Sequence, residues 1–102
     1  MINHIEIETK VMDFVSGLTG ITPAEMRSPI RSAHIVRARA IYTYLMRLHG
    51  FSYPEIGRYL SRDHTTIINL YHHFEDHGYR AQILLQIEAA FPELAGGEIK
   101  LP

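Results

Sequence analysis

Between Asp63 and Asn69 the chain sets out a carboxylate, an imidazole, two threonine hydroxyls and an amide, with His72 one turn further on. Short side chains of this kind hydrogen-bond flat polar edges. At 100° per residue Thr65, Asn69 and His72 share one helix face, flanked by His64 and Ile68. The apolar residues of the same stretch, Ile67, Leu70, Tyr71 and Phe74, recur at i, i+3, i+4 and i+7 and predict the buried side of that helix. Taken alone, a polar face backed by an apolar stripe is an ordinary solvated surface. What points to chemistry is that the polar residues crowd the first turn, where a recognition helix meets base edges.

Two helix starts eleven residues apart position that face. Ser52 can accept from the Glu55 N–H while Glu55 reaches back to the Ser52 N–H, a capping box that tolerates Pro54 in its first turn. Asp63 caps the second start, where its carboxylate meets the free N–H groups of the helix. The turn between them has no glycine-rich slack, so residues 52–78 read as a DNA-reading helix-turn-helix, with Gly78 as its terminator. Upstream, Ile7, Val11, Phe14, Val15 and Leu18 form the stripe of a helix over about 4–18, ended by Gly17 or Gly20. Thr22-Pro23-Ala24-Glu25 opens a short helix that Ser28-Pro29 stops, and residues 28–34 form a loop holding Arg31. Residues 35–49 make a long helix on Val36, Ala40, Ile41, Tyr44, Leu45 and Leu48, closed by Gly50, with Arg37, Arg39 and Arg47 off the stripe. A last helix over 80–91 uses Ile83, Leu84, Ile87 and Phe91 and ends at Pro92. The predicted fold is all-α, five or six helices around one core. Residues 1–91 form a single helical DNA-binding domain and 92–102 a tail.

The 102 residues suit one domain, and with no cysteine there is neither a disulfide framework nor a thiolate metal site. No apolar run is long enough for a membrane span, and residues 1–10 lack a signal peptide's apolar stretch, so a cytoplasmic, nucleoid-associated protein is expected. The net charge of −1 conceals an asymmetry: Arg27, Arg31, Arg37, Arg39, Arg47, Arg58 and Arg62 face one acid, Glu55, within residues 27–62. Arginine's planar fork suits phosphates and base edges. His73 and His77 have a zinc-like i, i+4 spacing, but no third ligand follows at fixed spacing, so no metal is expected. No nucleophile or acid–base pair stands in a catalytic motif, which predicts a protein that is not an enzyme. The seven histidines, ordinary imidazoles titrating near ~6.5, predict tighter DNA binding in mild acid.

Pro54-Glu55-Ile56-Gly57 followed by Arg62-Asp63-His64-Thr65-Thr66-Ile67 resembles the signature of the C-terminal DNA-binding domain, domain IV, of the bacterial replication initiator DnaA. Met26-Arg27-Ser28 and Arg37-Ala38-Arg39-Ala40-Ile41 through Leu45 resemble its upstream segments in order, so the resemblance covers about residues 8–78. It implies a DnaA domain IV-like, Trp-repressor-like fold that binds one short asymmetric double-stranded site. By the same resemblance Asp63, His64 and Thr65 read base edges in the major groove. There Asp can accept from a cytosine amino group, His can donate or accept, and the Thr methyl can meet a thymine methyl. Arg31 matches the arginine that enters the adjacent minor groove. Arg39, Arg47 and Thr66 match phosphate-holding positions, and Arg62 and Pro54 belong to the same docking surface, with Asn69 on the exposed face beside them.

The family usually writes Gly-Gly before Arg-Asp-His, whereas this chain has only Ser61, one residue short. The loop at Gly50-Phe51 is also shorter by about one residue. Ala40, Ile30 and Ala33 stand where polar or basic neighbours are usual, which predicts weaker phosphate binding and a shallower salt dependence than a full initiator domain has. Nothing in the chain resembles the phosphate loop G-x-x-x-x-G-K-[ST], so neither nucleotide nor any other cofactor is expected. With Met1 as a natural start and residues 79–102 running past the family's usual end, a stand-alone regulator of replication initiation or transcription is expected, of phage, plasmid or chromosomal origin. A second reading uses the acidic terminal helices to dock a replication protein or to pair two copies, with DNA secondary.

Overall fold

The computed structural model describes residues 3–94, and all regular structure among them is helical. The elements are α1 (His4–Thr19), α2 (Pro23–Met26), α3 (Ala33–Leu48), α4 (Tyr53–Leu60), α5 (His64–Asp76), α6 (Arg80–Ala90) and a 3₁₀ turn at Pro92–Leu94. Each boundary has a local cause. Asn3 caps α1, and Gly20, not Gly17, ends it in the left-handed conformation at φ 76°, its N–H donating to the Ser16 carbonyl. Both expected capping boxes form, Thr22 with Glu25 and Ser52 with Glu55. Ser32 caps α3 by accepting from the Ile35 N–H, so the helix starts at Ala33 and the preceding loop is shorter than expected. Gly50 closes that helix at φ 91°.

The end of α5 departs from expectation. Gly78 takes no left-handed conformation; instead His77 leaves the helix as extended backbone at φ −100°, ψ 146°. Its ring stacks on His73 at 3.8 Å and its Nδ1–H donates to the His73 carbonyl at 2.6 Å. A side chain thereby satisfies an end carbonyl that a glycine motif would otherwise cover.

The centre of the molecule is α3, which packs against α1, α2, α4 and α5. From Ala38 to Arg47 every residue of it is buried, as expected of a helix surrounded on all sides. Val11 and Val15 of α1, Ile56 and Leu60 of α4, and Ile67, Leu70, Tyr71 and Phe74 of α5 close around it. The last helix adds Ile87 and Phe91, and Phe91 meets Phe14 edge-to-face at 5.3 Å. Of the expected tail, Leu94 packs half-buried against the core, and residues 95–102 lie outside the described part. No helix among the described residues is long and apolar enough to cross a membrane.

A buried polar junction ties these layers together. Tyr42, with no exposure on α3, donates to the Glu8 carboxylate of α1 at 2.7 Å, and Arg27 approaches the same carboxylate at 3.6 Å. Burial first, then the hydrogen bond to Glu8, raises the Tyr42 phenol far above its ordinary range.

Candidate nucleic-acid interface

Asp63 caps α5 as its position predicts, Oδ1 accepting from the Thr66 N–H at 3.0 Å. That backbone donor holds the Asp63 carboxyl below its usual range, so the group is a carboxylate at neutral pH. His64, Thr65 and Asn69 are exposed, Thr66 and Ile68 are half-buried, and the stripe Ile67, Leu70, Tyr71 and Phe74 is buried behind them. The first turn of α5 therefore projects a carboxylate, an imidazole and a hydroxyl from a rigid, capped base. Pro54 is exposed at the second position of α4.

The helix-turn-helix angle is set by a close approach within the turn. An added Cβ on Gly57 would lie 2.4 Å from the Arg62 carbonyl oxygen. The Arg62 N–H donates to the Gly57 carbonyl at 2.9 Å across the same gap. Position 57 must therefore be glycine for α4 and α5 to meet as they do. The signal in the sequence was a glycine inside a helical pattern, which is unfavourable unless packing requires it. Where glycine is usual, Ser61 takes the left-handed conformation at φ 56°, ψ 45°, the only non-glycine residue with positive φ among those described.

The seven arginines of residues 27–62 differ in exposure. Arg27, Arg31, Arg37 and Arg58 are exposed, and Arg37 lies over the Tyr79 ring at 4.6 Å. Arg39 and Arg47, expected to hold phosphates, are only 3% and 8% exposed. Arg39 donates from Nε to the Met26 carbonyl (2.8 Å), from Nη1 to Ile30 (2.8 Å), and from Nη2 to Glu25 (3.2 Å) and Ser28 (2.5 Å). Four of its five N–H groups thus point at the backbone of α2 and the loop that follows it. Arg47 donates to the Phe51 carbonyl at 2.6 Å and lies over the Tyr53 ring at 4.4 Å. These arginines lie off the apolar stripe, as read from the sequence, but the surrounding elements cover that side too. Arg62 is half-buried and donates from Nη1 to the Leu60 and Ser61 carbonyls at 3.2 and 3.1 Å, and from Nη2 to the Ser28 carbonyl.

Between the loop bearing Arg31 and the face of α5 runs a groove of about 360 Å³ lined by Arg31, Arg39, Arg62, Thr66, Asn69 and His73. Five of these were expected site residues, and the fold brings them together. His64, Thr65 and Pro54 are not among its lining residues. His73 was not expected in the groove. Burial, then the neighbouring His77 and Arg37, holds its imidazole below the ordinary range.

Comparison with known proteins agrees with this geometry. The family model described as the bacterial DnaA protein helix-turn-helix matches residues 9–73. The chain is similar to the chromosomal replication initiator protein DnaA of Kosmotoga olearia, 29% identical over 69 residues, covering 67% of this chain and 15% of that protein. It is also similar to the protein of that name from Deinococcus radiodurans, 39% identical over 62 residues, covering 60% of this chain and 13% of that one. The chain thus spans a small fraction of the length of these relatives. No solved structure matches it. A capped recognition helix, an arginine loop beside it and a family match running through both give one conclusion: this chain belongs to the bacterial DnaA helix-turn-helix family.

Proposed function

We propose that this protein reads a short double-stranded DNA site similar to a DnaA box, and that it regulates replication initiation or transcription from such sites. The observation that carries this reading is the exposed Asp63-His64-Thr65 turn, held rigid by the Asp63 cap with a buried stripe behind it. In the major groove the Asp63 oxygen not bonded to Thr66 accepts from a cytosine amino group. His64 and Thr65 meet the neighbouring bases. Arg31 enters the adjacent minor groove, and Thr66 and Asn69 line the path of the backbone between the two grooves. With Arg39 and Arg47 turned inward, the free positive charge comes from few side chains. That supports a weak phosphate term and a shallow dependence of affinity on salt.

Selection of binding sites from random duplexes tests this directly, followed by titration of the selected site with His64→Ala, Arg31→Ala and Asp63→Asn variants. Asparagine caps a helix as well as aspartate does, so Asp63→Asn is expected to keep the fold while weakening binding and relaxing the preference at one base pair. Each alanine variant is expected to weaken binding about tenfold or more, in line with ~1–3 kcal/mol per good base contact. If no duplex is selected at low salt, or both alanine variants bind as the unaltered chain does, the reading fails and a protein-docking role takes its place.

A further inference from the structure

Two arginines from different elements converge on one backbone oxygen. The Ser28 carbonyl, just before Pro29, accepts from Arg39 of α3 at 2.5 Å and also from Arg62, which stands between Ser61 and the cap of α5. Around that oxygen the loop is bound on every side. Arg39 takes the carbonyls of Glu25, Met26 and Ile30, and the Ser28 hydroxyl donates to Glu25 at 2.7 Å. The Arg27 Nε–H donates to the Tyr59 carbonyl of α4 at 3.0 Å. Arg31, the next residue after Ile30, carries its exposed guanidinium directly out of this clamp. At its other end Arg62 grips the Leu60 and Ser61 carbonyls of the left-handed turn. Arg62 therefore bonds both the loop of Arg31 and the turn that aims α5.

We propose that Arg62, with Arg39, is a positioning residue that sets the distance and register between the Arg31 loop and the Asp63-His64-Thr65 turn, through the shared Ser28 carbonyl and not by holding a phosphate. The inference rests on the DNA-reading function proposed above. Its chemistry needs a planar fork with several donors in fixed directions, which guanidinium has and ammonium lacks. The convergence also has an electrostatic reason. Burial first, then the neighbouring Arg62 and Arg31, disfavours the charge of Arg39, and the ring of carbonyl dipoles around it offsets that cost. Where the usual glycine pair of the turn is replaced by a single serine, the Arg62 bonds to Leu60 and Ser61 supply rigidity from a side chain.

The experiment is a double-mutant cycle on duplex binding. In the unaltered background Arg31→Ala weakens binding to the selected site about tenfold. In the Arg62→Met and Arg62→Lys backgrounds the same change is expected to cost less than about twofold, because Arg31 is no longer held in register. Arg62→Lys keeps the charge, so a phosphate contact would survive it with an unaltered salt slope. Arg62→Met would instead lower the slope by about 0.9 more than Arg62→Lys does if a phosphate were involved, and by the same amount as Arg62→Lys if Arg62 only positions. In the free protein, amide hydrogen exchange at Ser28 and Ile30, whose N–H groups donate to the Glu25 carbonyl and the Ser28 hydroxyl, is expected to accelerate in both variants while the α3 core stays protected, a readout that needs no DNA. An equal Arg31→Ala cost in all three backgrounds, or a slope lowered by Arg62→Met and retained by Arg62→Lys, overturns the inference while leaving DNA reading intact. Absence of any duplex binding by the unaltered chain overturns DNA reading and the inference with it.

Discussion

Gly57→Ala probes the joint on which the recognition helix turns. In an exposed helix interior this change stabilises by about 1 kcal/mol, since alanine is the better helix former. Here the new methyl would stand 2.4 Å from the Arg62 carbonyl oxygen, about 1 Å inside ordinary van der Waals contact, with Ile67 Cγ1 a further 3.6 Å neighbour. The obstructing atom is backbone, so no side-chain rotation relieves it. Overpacking of this kind costs about 1–3 kcal/mol. The bond from Arg62 N–H to the Gly57 carbonyl, 2.9 Å long, is lost or stretched for about another 1 kcal/mol. Set against the helix gain, the variant is expected to lose about 1–3 kcal/mol, a fall in Tm of about 5–20 °C for a domain of this size. Urea and thermal unfolding followed by circular dichroism measure it. Because the Arg62 carbonyl precedes Asp63, whatever shift relieves the clash also re-aims α5, so duplex affinity should fall further than the folded fraction accounts for. A variant with a Tm at or above that of the unaltered protein would refute the close approach and the glycine requirement with it.

Ser61→Gly is expected to stabilise by about 0.5–1 kcal/mol, because a left-handed L-residue costs about 1–2 kcal/mol while the extra freedom of glycine in the unfolded chain returns part of it; chemical denaturation reads the change. Tyr42→Phe removes the donor from the buried Glu8 carboxylate and is expected to destabilise by about 1–3 kcal/mol, with Glu8→Gln in the same background recovering part of the loss if the unsatisfied acceptor is the cause. Stability should also fall in acid in two stages. His73 is held low by burial, so the unfolded chain binds its proton more readily and stability declines as pH drops below ~6.5 toward the lowered folded value. Glu25, Glu55 and Asp63 are held low by the backbone N–H groups of Thr22, Ser52 and Thr66. Their contribution is complete above the ordinary carboxylate range and is lost as pH falls through their lowered values. Urea midpoints at pH ~7, ~5.5 and ~3 separate the stages, and His73→Phe should abolish the first alone.

The caps at Thr22, Ser52 and Asp63 and the apolar stripe of α5 were legible in the sequence because they depend on neighbours. Ser52 and Glu55 exchange hydrogen bonds across three residues, as do Thr22 and Glu25, and the Asp63 cap reaches only to Thr66. The buried stripe of α5 and the exposed Asp63-His64-Thr65 turn follow from the same short-range periodicity. The roles of the arginines were not legible. Arg31 and Arg39 look alike in a list of seven, but Arg39 meets carbonyls nine to fourteen residues away, and Arg62 reaches one thirty-four residues away. Only the packing of α3 under the loop, with α4 and α5 beside it, brings those acceptors within reach and takes the guanidinium out of water. The sequence by itself determined the capped starts of α2, α4 and α5, the buried stripe of α5 and what its first turn presents. The tertiary structure alone decided which arginines remain free for a partner and which hold the frame, because a charge has no direction until the fold supplies the acceptors around it.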